Sequence, residues 1–424
     1  MCALLLWHGP GADRAPVNGL SNQVDIRNGF DMETKKLRVG ILGCGKVSNF
    51  HLEGWKAWRD EVEVSALCDI NPGQIDTTRE KWADLCGGAA GYQDYREMLA
   101  KEPLDIVSVL THGDLHYELT QACMQAGKHV FMEKPVGYSP EEARKFKFLA
   151  CRFPAQKVAI GYSMRYYREF MDLRALIKAG TLGRIITGEI SYSHPHAMPE
   201  DALPAPVEPA TGIKAGDLAY LAQQSDIAGG DTTLRLTETK TNPFADSGGN
   251  YIGSSELTAS THPWDMARFL FGEVNEVFSV HSERVVGGTG IQMGILWMSS
   301  GALVHVLAGR TRIPKVGGNQ HQLAQVHGTR GSAWLMRDLY EPFARHAYYR
   351  TDGEIQEAPR TTELPNSSHG VIIRTRNFLD AIAGNAELIC SMEDGALTTD
   401  LLHALYLSER TQTRVAVLPA HKTG

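Results

Sequence analysis

Cysteine is scarce in this chain of 424 residues, and its placement suits neither a cross-link nor a metal. The seven cysteines are an odd number, are scattered along the sequence and form no C-x-x-C pair. Disulfide frameworks and cysteine zinc sites both need closely spaced, paired cysteines, so the sequence favours neither. This usage predicts a protein of the reducing cytoplasm. The cysteines are Cys2, Cys44, Cys68, Cys86, Cys123, Cys151 and Cys390.

Long apolar runs and blocks of one charge are missing as well. No run approaches the roughly 18–20 apolar residues that span a bilayer. The apolar start, 1–6, has no basic segment before it and is a poor signal peptide. The net charge is −7, from 42 basic and 49 acidic side chains that nowhere form a long block of one sign. We therefore expect no nucleic-acid partner and no membrane partner.

Glycine, in contrast, is abundant, with 42 residues against a usual share of about 7%. The glycines have no three-residue period and come with only 19 prolines, which excludes collagen and low-complexity chains. They are expected in turns and close backbone approaches. The length predicts two to three domains with large cores. Residues 1–34, which lack apolar periodicity, are expected to form a flexible extension.

Residues 37–58 have the pattern of a strand, a glycine turn and a helix. The apolar segment 37–42 leads into Gly43-Cys44-Gly45-Lys46-Val47-Ser48, followed by an amphipathic stretch. In a G-x-G-x-x-S pattern the two glycines permit a tight turn and let the backbone approach a pyrophosphate at a helix N-terminus. The third position needs only a small residue, which Ser48 supplies. On its own, the motif leaves an ordinary glycine turn as an open alternative.

An acidic residue follows the next predicted strand, 61–68. Asp69 lies 24 residues after Gly45, where a dinucleotide-binding fold places the carboxylate that accepts hydrogen bonds from the adenosine ribose. Because a carboxylate there repels a 2′-phosphate, NAD is predicted over NADP. The alternative is that Asp69 only caps the turn before Pro72.

Strands and helices continue to alternate up to residue 161, which predicts a parallel, doubly wound sheet. Ligands of such sheets bind beyond the carboxyl ends of the strands. Thr111-His112 and Glu133-Lys134-Pro135 each follow a predicted strand, so we expect both segments at the ligand edge. The predicted helices here are 74–85, 116–126 and about 139–151, and the strands are 105–110, 129–132 and 158–161.

The segment Gly127–Pro135, G-K-H-V-F-M-E-K-P, resembles the A-G-K-H-V-x-x-E-K-P segment of the Gfo/Idh/MocA family of NAD(P)-dependent oxidoreductases. The resemblance spans most of residues 37–418 and includes the glycine turn, Gly161–Tyr166 and His262-Pro263-Trp264-Asp265. It implies an α/β protein with a dinucleotide-binding Rossmann domain, 35–155, and a substrate-binding and oligomerisation domain, 156–424.

For the second domain the resemblance implies a large, open, mostly antiparallel sheet. The residues themselves are compatible with this, because several strand-like runs follow one another with few helices between them. Two helices near the C-terminal end are expected to close the fold. The predicted strands are 185–193, 274–282, 294–298, 302–308 and 322–328, and the helices are 369–383 and about 393–410.

The resemblance also implies the catalytic residues. Lys134 would hydrogen-bond and polarise the reacting oxygen beside the nicotinamide, and His262 would be the general base for oxidation. Without the resemblance, Lys134 is a solvated lysine at a strand end and His262 a histidine at a helix start. The implied cofactor contacts are Gly43, Gly45, Lys46, Val47, Asp69, Thr111, His116, Glu133 and Lys134. For His116 the alternative is a polar residue at a helix start.

Three further residues are candidates for substrate contacts. Thr258 stands where the family's dehydrogenases commonly have an acid, four residues before the histidine, so His262 is expected to be less basic and less firmly oriented. Arg165 matches a family arginine near cofactor and substrate, with a surface arginine as the alternative. Asp265 is the third, and its alternative is a structural ion pair with Arg268.

The segment at about 194–247 is longer than the family pattern and either covers the pocket, mediates subunit contacts or is a surface excursion. Its His194 and His196 have no third ligand, so no metal is predicted. The expected function is hydride transfer between nicotinamide and a ring hydroxyl of a sugar, glycoside or cyclitol, by a homo-oligomer (dimer or tetramer). A redox-neutral NAD-dependent glycosidase and a non-catalytic dinucleotide-binding regulator are the alternatives.

Overall fold

The structure, a computed structural model, describes residues 36–198, 261–281, 290–314, 321–338, 347–364 and 370–417. The predicted N-terminal extension, Thr258 and most of the predicted insertion lie outside these ranges. Within the described residues, no helix is long and apolar enough to cross a membrane.

The first half forms the predicted parallel sheet, with six strands in the order β3-β2-β1-β4-β5-β6. The central strands are buried on both faces, which is why their sequences are mostly apolar runs without alternation. The sheet includes β6, which lies just after residue 155, while the expected domain boundary at 155 stays a prediction. The strands are β1 (Leu37–Leu42), β2 (Val62–Cys68), β3 (Ala90–Tyr92), β4 (Ile106–Val109), β5 (His129–Met132) and β6 (Val158–Ile160).

Local capping sets where the helices of this domain begin. The side chain of Asn71 accepts the Gly73 N–H at 3.0 Å, and Ser139 accepts the Glu142 N–H at 3.2 Å, each just before a proline in the first turn. The helices are α1 (Ser48–Ala57), α2 (Pro72–Lys81), α3 (Ala83–Cys86), α4 (Tyr95–Lys101), α5 (His116–Gln125) and α6 (Pro140–Arg152).

The second half forms a nine-stranded sheet in the order β14-β13-β12-β11-β7-β10-β9-β8-β15. Its pairs are antiparallel except β7 with β10, which confirms the mostly antiparallel sheet. The strands are β7 (Ile185–Met198), β8 (Val274–His281), β9 (Gly290–Met298), β10 (Leu303–Pro314), β11 (His321–Gly328), β12 (Ser332–Asp338), β13 (Tyr348–Arg350), β14 (Gln356–Glu357) and β15 (Val415–Ala416).

Helices α7 (Arg168–Lys178), α8 (Thr261–Phe271) and α10 (Met392–Thr411) share one hydrophobic core with this sheet. Ser391 begins α10 with a capping box, because its hydroxyl accepts the Asp394 N–H while the Asp394 carboxylate accepts the Ser391 N–H.

Helix α9 (Val371–Ile382) lies late in the chain but packs on the Rossmann domain. Phe378 and Leu379 share a core cluster with β1 and α1, and Trp58 donates to the carbonyl of Ile372, 314 residues away, at 3.2 Å. A Cβ on Gly54 would overlap Thr375, so the two helices are in close contact. Through this packing, α9 brings its own side chains to the edge of the parallel sheet.

Candidate active site

The glycine turn lies at the carboxyl end of β1, and its two glycines have different surroundings. Gly43 has φ +99°, and a Cβ there would lie 2.9 Å from the Leu110 carbonyl group. At Gly45 a Cβ would meet open space, and Gly45, Lys46 and Val47 are exposed. The amides of these three residues find no acceptor among the described residues. Such free amides before a helix fit a pyrophosphate.

Asp69 is held beside this turn at the carboxyl end of β2. One carboxylate oxygen accepts the Cys44 N–H at 2.8 Å and the other accepts the Asn71 N–H at 2.9 Å. Each oxygen keeps a lone pair for a further donor such as a ribose hydroxyl. Burial, with the nearby Asp69 charge, raises the pKa of the Cys44 thiol to about 12, so this cysteine stays protonated and is no nucleophile.

His116 ties together the ends of β4 and β5. Its Nδ1 lies 2.8 Å from the carbonyl oxygen of Pro135, and its Nε2 lies 3.1 Å from that of Thr111. The ring is buried, and this burial lowers its pKa. With both nitrogens directed at main-chain carbonyls, His116 holds the Lys134 turn, while its contact with a cofactor stays a prediction.

Glu133 occupies the centre of a buried polar cluster rather than an open surface. One carboxylate oxygen lies 3.1 Å from His51 Nε2 and accepts from Arg374 at 3.3 Å, and the other accepts the Lys134 backbone N–H at 3.2 Å. Burial alone would raise the pKa of Glu133, but the hydrogen bond from His51 and the Arg374 charge hold it well below its usual range. The carboxylate is therefore ionised next to Lys134.

Lys134 itself is half-buried and precedes a cis peptide bond to Pro135. It follows the end of β5, which pairs with β4 on one side and β6 on the other. The lysine therefore lies at the same sheet edge as the glycine turn, Asp69 and Thr111, as its place in the sequence predicted.

His262 contacts Tyr162, a residue at this edge of the sheet. The histidine lies in the first turn of α8, and its ring meets that of Tyr162 edge-on with 5.8 Å between centroids. Tyr162 is fully buried just beyond β6, the neighbour of the Lys134 strand. Burial raises the pKa of Tyr162 well above its usual value, so the phenol stays neutral, while the role of His262 as base stays a prediction.

Arg165 and Asp265 bind each other. The guanidinium donates to both carboxylate oxygens, at 2.8 and 2.7 Å, and also to Asp394 at 2.9 Å. Their side chains are only 2% and 1% exposed, so the structure gives them an anchoring role, and their contact with substrate stays a prediction. The expected partner Arg268 lies 4.0 Å from Asp265. Its guanidinium donates two hydrogen bonds to the carboxylate of Glu273. The network fixes α8, and with it His262.

Sequence reasoning missed His51 and Arg374. His51 had a signal, because with Ser48, Leu52 and Trp55 it forms the buried stripe of α1 at helical spacing. Arg374 had none, since its partner Glu133 is 241 residues away. Among the described residues no cluster of three or more His, Cys, Asp or Glu side chains is suited to hold a metal ion.

The buried His51 makes stability depend on pH. Burial and the Arg374 charge lower its pKa from 6.5 to about 4, so between these values the unfolded chain binds more protons and stability falls as the pH is lowered. We expect His51→Gln to reduce the loss of unfolding free energy between pH 7 and pH 5 by about 2 kcal/mol. Urea unfolding at both pH values measures this. His327→Gln, at an exposed histidine, is the control, and equal pH dependence in all three proteins would contradict the assignment.

Comparison with protein-family models identifies both domains. The model for the Gfo/Idh/MocA oxidoreductase family, NAD-binding Rossmann fold, matches residues 37–161, and the model for the family's C-terminal alpha/beta domain matches residues 252–417. Together they cover more than half of the chain and every strand of the two sheets except β7.

Individual relatives are distant. D-glucoside 3-dehydrogenase of Escherichia coli K12 is 24% identical over 392 residues, which are 91% of this chain and 98% of that enzyme. Inositol 2-dehydrogenase of Salmonella typhimurium is 26% identical over 168 residues, 40% of this chain and only 49% of that enzyme. The WlbA dehydrogenase of Bordetella pertussis, solved with NADH and UDP-GlcNAcA, has a TM-score of 0.65 at 18% identity, covering 92% and 99% of the two chains, and shares the fold.

Proposed function

Because this chain belongs to the Gfo/Idh/MocA family of NAD-dependent oxidoreductases, we propose that it transfers hydride between NAD and a ring hydroxyl of a sugar, glycoside or cyclitol. The observation that carries the proposal is the sheet edge at which Lys134, half-buried beside the ionised Glu133, lies with the exposed glycine turn and Asp69.

The residues at this edge fit the dinucleotide. The amides of Gly45, Lys46 and Val47 would bind the pyrophosphate, and the Asp69 carboxylate would accept hydrogen bonds from the adenosine ribose. When bound, the nicotinamide supplies the hydride acceptor for oxidation. Thr111 and Lys134, which follow neighbouring strands, would border its reactive ring.

Lys134 and His262 would divide the proton chemistry. The Lys134 ammonium would donate a hydrogen bond to the reacting hydroxyl oxygen and stabilise its developing negative charge. His262 would take the hydroxyl proton, since a histidine titrates near neutral pH. Oxidation then removes a hydride from the carbinol carbon and a proton from its oxygen, and leaves a carbonyl. In the reverse direction, His262 returns the proton.

A polyhydroxylated ring is the substrate class that the relatives favour. The relatives include a D-glucoside 3-dehydrogenase and an inositol 2-dehydrogenase, both named for oxidation of one hydroxyl among several. We extend to this chain only that shared class, not a particular sugar, cyclitol or hydroxyl position. Assembly into a homo-oligomer stays a prediction from the sequence.

A screen of sugars, glycosides and cyclitols with NAD and with NADP tests the proposal. We expect NADH absorbance to accumulate with at least one polyol, and NAD to bind at least about tenfold more tightly than NADP because Asp69 repels a 2′-phosphate. Tighter binding of NADP would contradict the role of Asp69. Glycoside cleavage without net NADH, by enzyme that purifies with bound cofactor, would instead indicate the redox-neutral glycosidase. Cofactor binding without turnover of any substrate would indicate a regulator.

A further inference from the structure

The guanidinium of Arg374 is buried, and its acidic partner is Glu133. Its side chain is 2% exposed, and it donates to one Glu133 oxygen at 3.3 Å. The guanidinium carbon lies 4.7 Å from the centroid of the Phe131 ring. Its Nε and its second terminal nitrogen have no hydrogen-bond partner among the described residues. Because two of its nitrogens make no hydrogen bond to a described residue, we infer that the guanidinium acts in this cluster mainly through its positive charge.

The charge of Glu133 acts in turn on Lys134. The Lys134 ammonium is among the groups that lower the pKa of Glu133, and such coupling is mutual, so the Glu133 carboxylate favours the charged form of Lys134. The other ionisable groups facing Glu133 are His51 of α1, which is neutral at pH 7 because its pKa is about 4, and His116 of α5, whose pKa burial lowers. Among the groups that face Glu133 in the described residues, Arg374 is thus the one besides Lys134 that offsets its charge at pH 7.

We propose that Glu133 and Arg374 form a charge-setting pair behind Lys134, in which the carboxylate stabilises the ammonium and the guanidinium offsets part of the carboxylate charge. In this pair Glu133 favours the ammonium, and Arg374, supplied by the distant helix α9, limits that effect by offsetting the carboxylate charge. Arg374 is therefore a positioning residue that acts through Glu133. The inference rests on the proposed function, in which the Lys134 ammonium stabilises the alkoxide.

Removing the two charges has opposite consequences for Lys134. Glu133→Gln removes the negative charge and is expected to lower the Lys134 pKa by about one unit. Arg374→Met leaves the carboxylate without its counter-charge and is expected to raise the Lys134 pKa by about one unit. In the double variant the two shifts should cancel to within a few tenths of a unit. If the cluster had a purely structural role, the two variants would not shift the Lys134 pKa in opposite directions.

The pKa of Lys134 is measurable without any substrate. The full-length protein is treated briefly with an amine-reactive acylating reagent over a series of pH values, and mass spectrometry of the peptide containing Lys134 gives its rate of modification. The midpoint of this rate reports the Lys134 pKa. Arg376→Met is the matched control, since Arg376 is on the same helix but pairs with Glu61 and Asp380, and its removal should leave the midpoint unchanged.

Shifts in the same direction, or no shift in Glu133→Gln, overturn the proposal. If Arg374→Met does not fold, Arg374→Lys replaces it: the retained charge should leave the Lys134 midpoint within a few tenths of a unit of the wild type, and a large shift overturns the proposal. The readout also separates the two hypotheses. Opposite shifts without NADH formation from any polyol would contradict the proposed function alone, whereas turnover with unmoved midpoints would contradict the charge-setting pair alone.

Discussion

Replacement of Lys134 by alanine is expected to lower kcat by about three orders of magnitude while the affinity for NADH changes by less than about fivefold. The loss follows from the role of the ammonium, because without it the oxygen of the substrate develops negative charge with no donor to stabilise it. Affinity for the cofactor persists, since the glycine turn and Asp69 are positioned by contacts that do not involve Lys134. Steady-state kinetics and NADH fluorescence titration measure the two effects.

A lysine elsewhere in the same domain provides the control. Lys145 is exposed on α6, where it pairs with Glu141 at 3.1 Å, and Lys145→Ala should leave kcat within about twofold of the wild type. Should Lys134→Ala keep more than a tenth of the wild-type kcat, Lys134 does not stabilise the reacting oxygen, and the proposed mechanism is wrong.

The parallel half of the fold was predictable because its determinants are local. Buried parallel strands are short apolar runs, and helices such as α2 and α6 begin at caps that their own neighbouring residues supply, Asn71 and Ser139. The glycine turn, Asp69 and the E-K-P segment all follow predicted strands, so doubly wound topology was sufficient to bring them to one edge.

The support of the site was not predictable, because it depends on contacts between distant parts of the chain. Arg165 and Asp265 are 100 residues apart, and Glu133 and Arg374 are 241 apart. Helical spacing offered an ion pair of Asp265 with Arg268, one turn away, and the two side chains do lie 4.0 Å apart. In the folded chain Arg165 donates two hydrogen bonds to the carboxylate of Asp265. Arg268 donates two to Glu273, beyond the end of α8. Tertiary geometry therefore gave Asp265 a second and closer arginine partner, which helical spacing could not indicate.

That buried pair gives the largest expected effect on stability. Asp265→Asn leaves the nearly inaccessible Arg165 without the carboxylate that its guanidinium binds with two hydrogen bonds. We expect the free energy of unfolding to fall by about 3 kcal/mol, because the buried Arg165 charge then keeps as its acidic partner only Asp394, which is 30% exposed and binds it with a single hydrogen bond. Urea titration followed by tryptophan fluorescence measures this, and Trp264, next to Asp265 and buried, is a local reporter.

Two further variants test whether the loss of stability comes from the buried charge of Arg165. Asp76→Asn, which breaks the solvent-exposed pair with Arg79 at 2.9 Å, should cost less than about 1 kcal/mol. Replacing both buried partners, Arg165→Met with Asp265→Leu, should cost less than Asp265→Asn alone, since the carboxylate then left without Arg165 is that of Asp394, which is 30% exposed. If Asp265 contacted the substrate instead, Asp265→Asn would raise KM strongly at nearly unchanged stability. Since His262 lies one turn before Asp265 in α8, we expect instead a lower kcat that accompanies the lost stability.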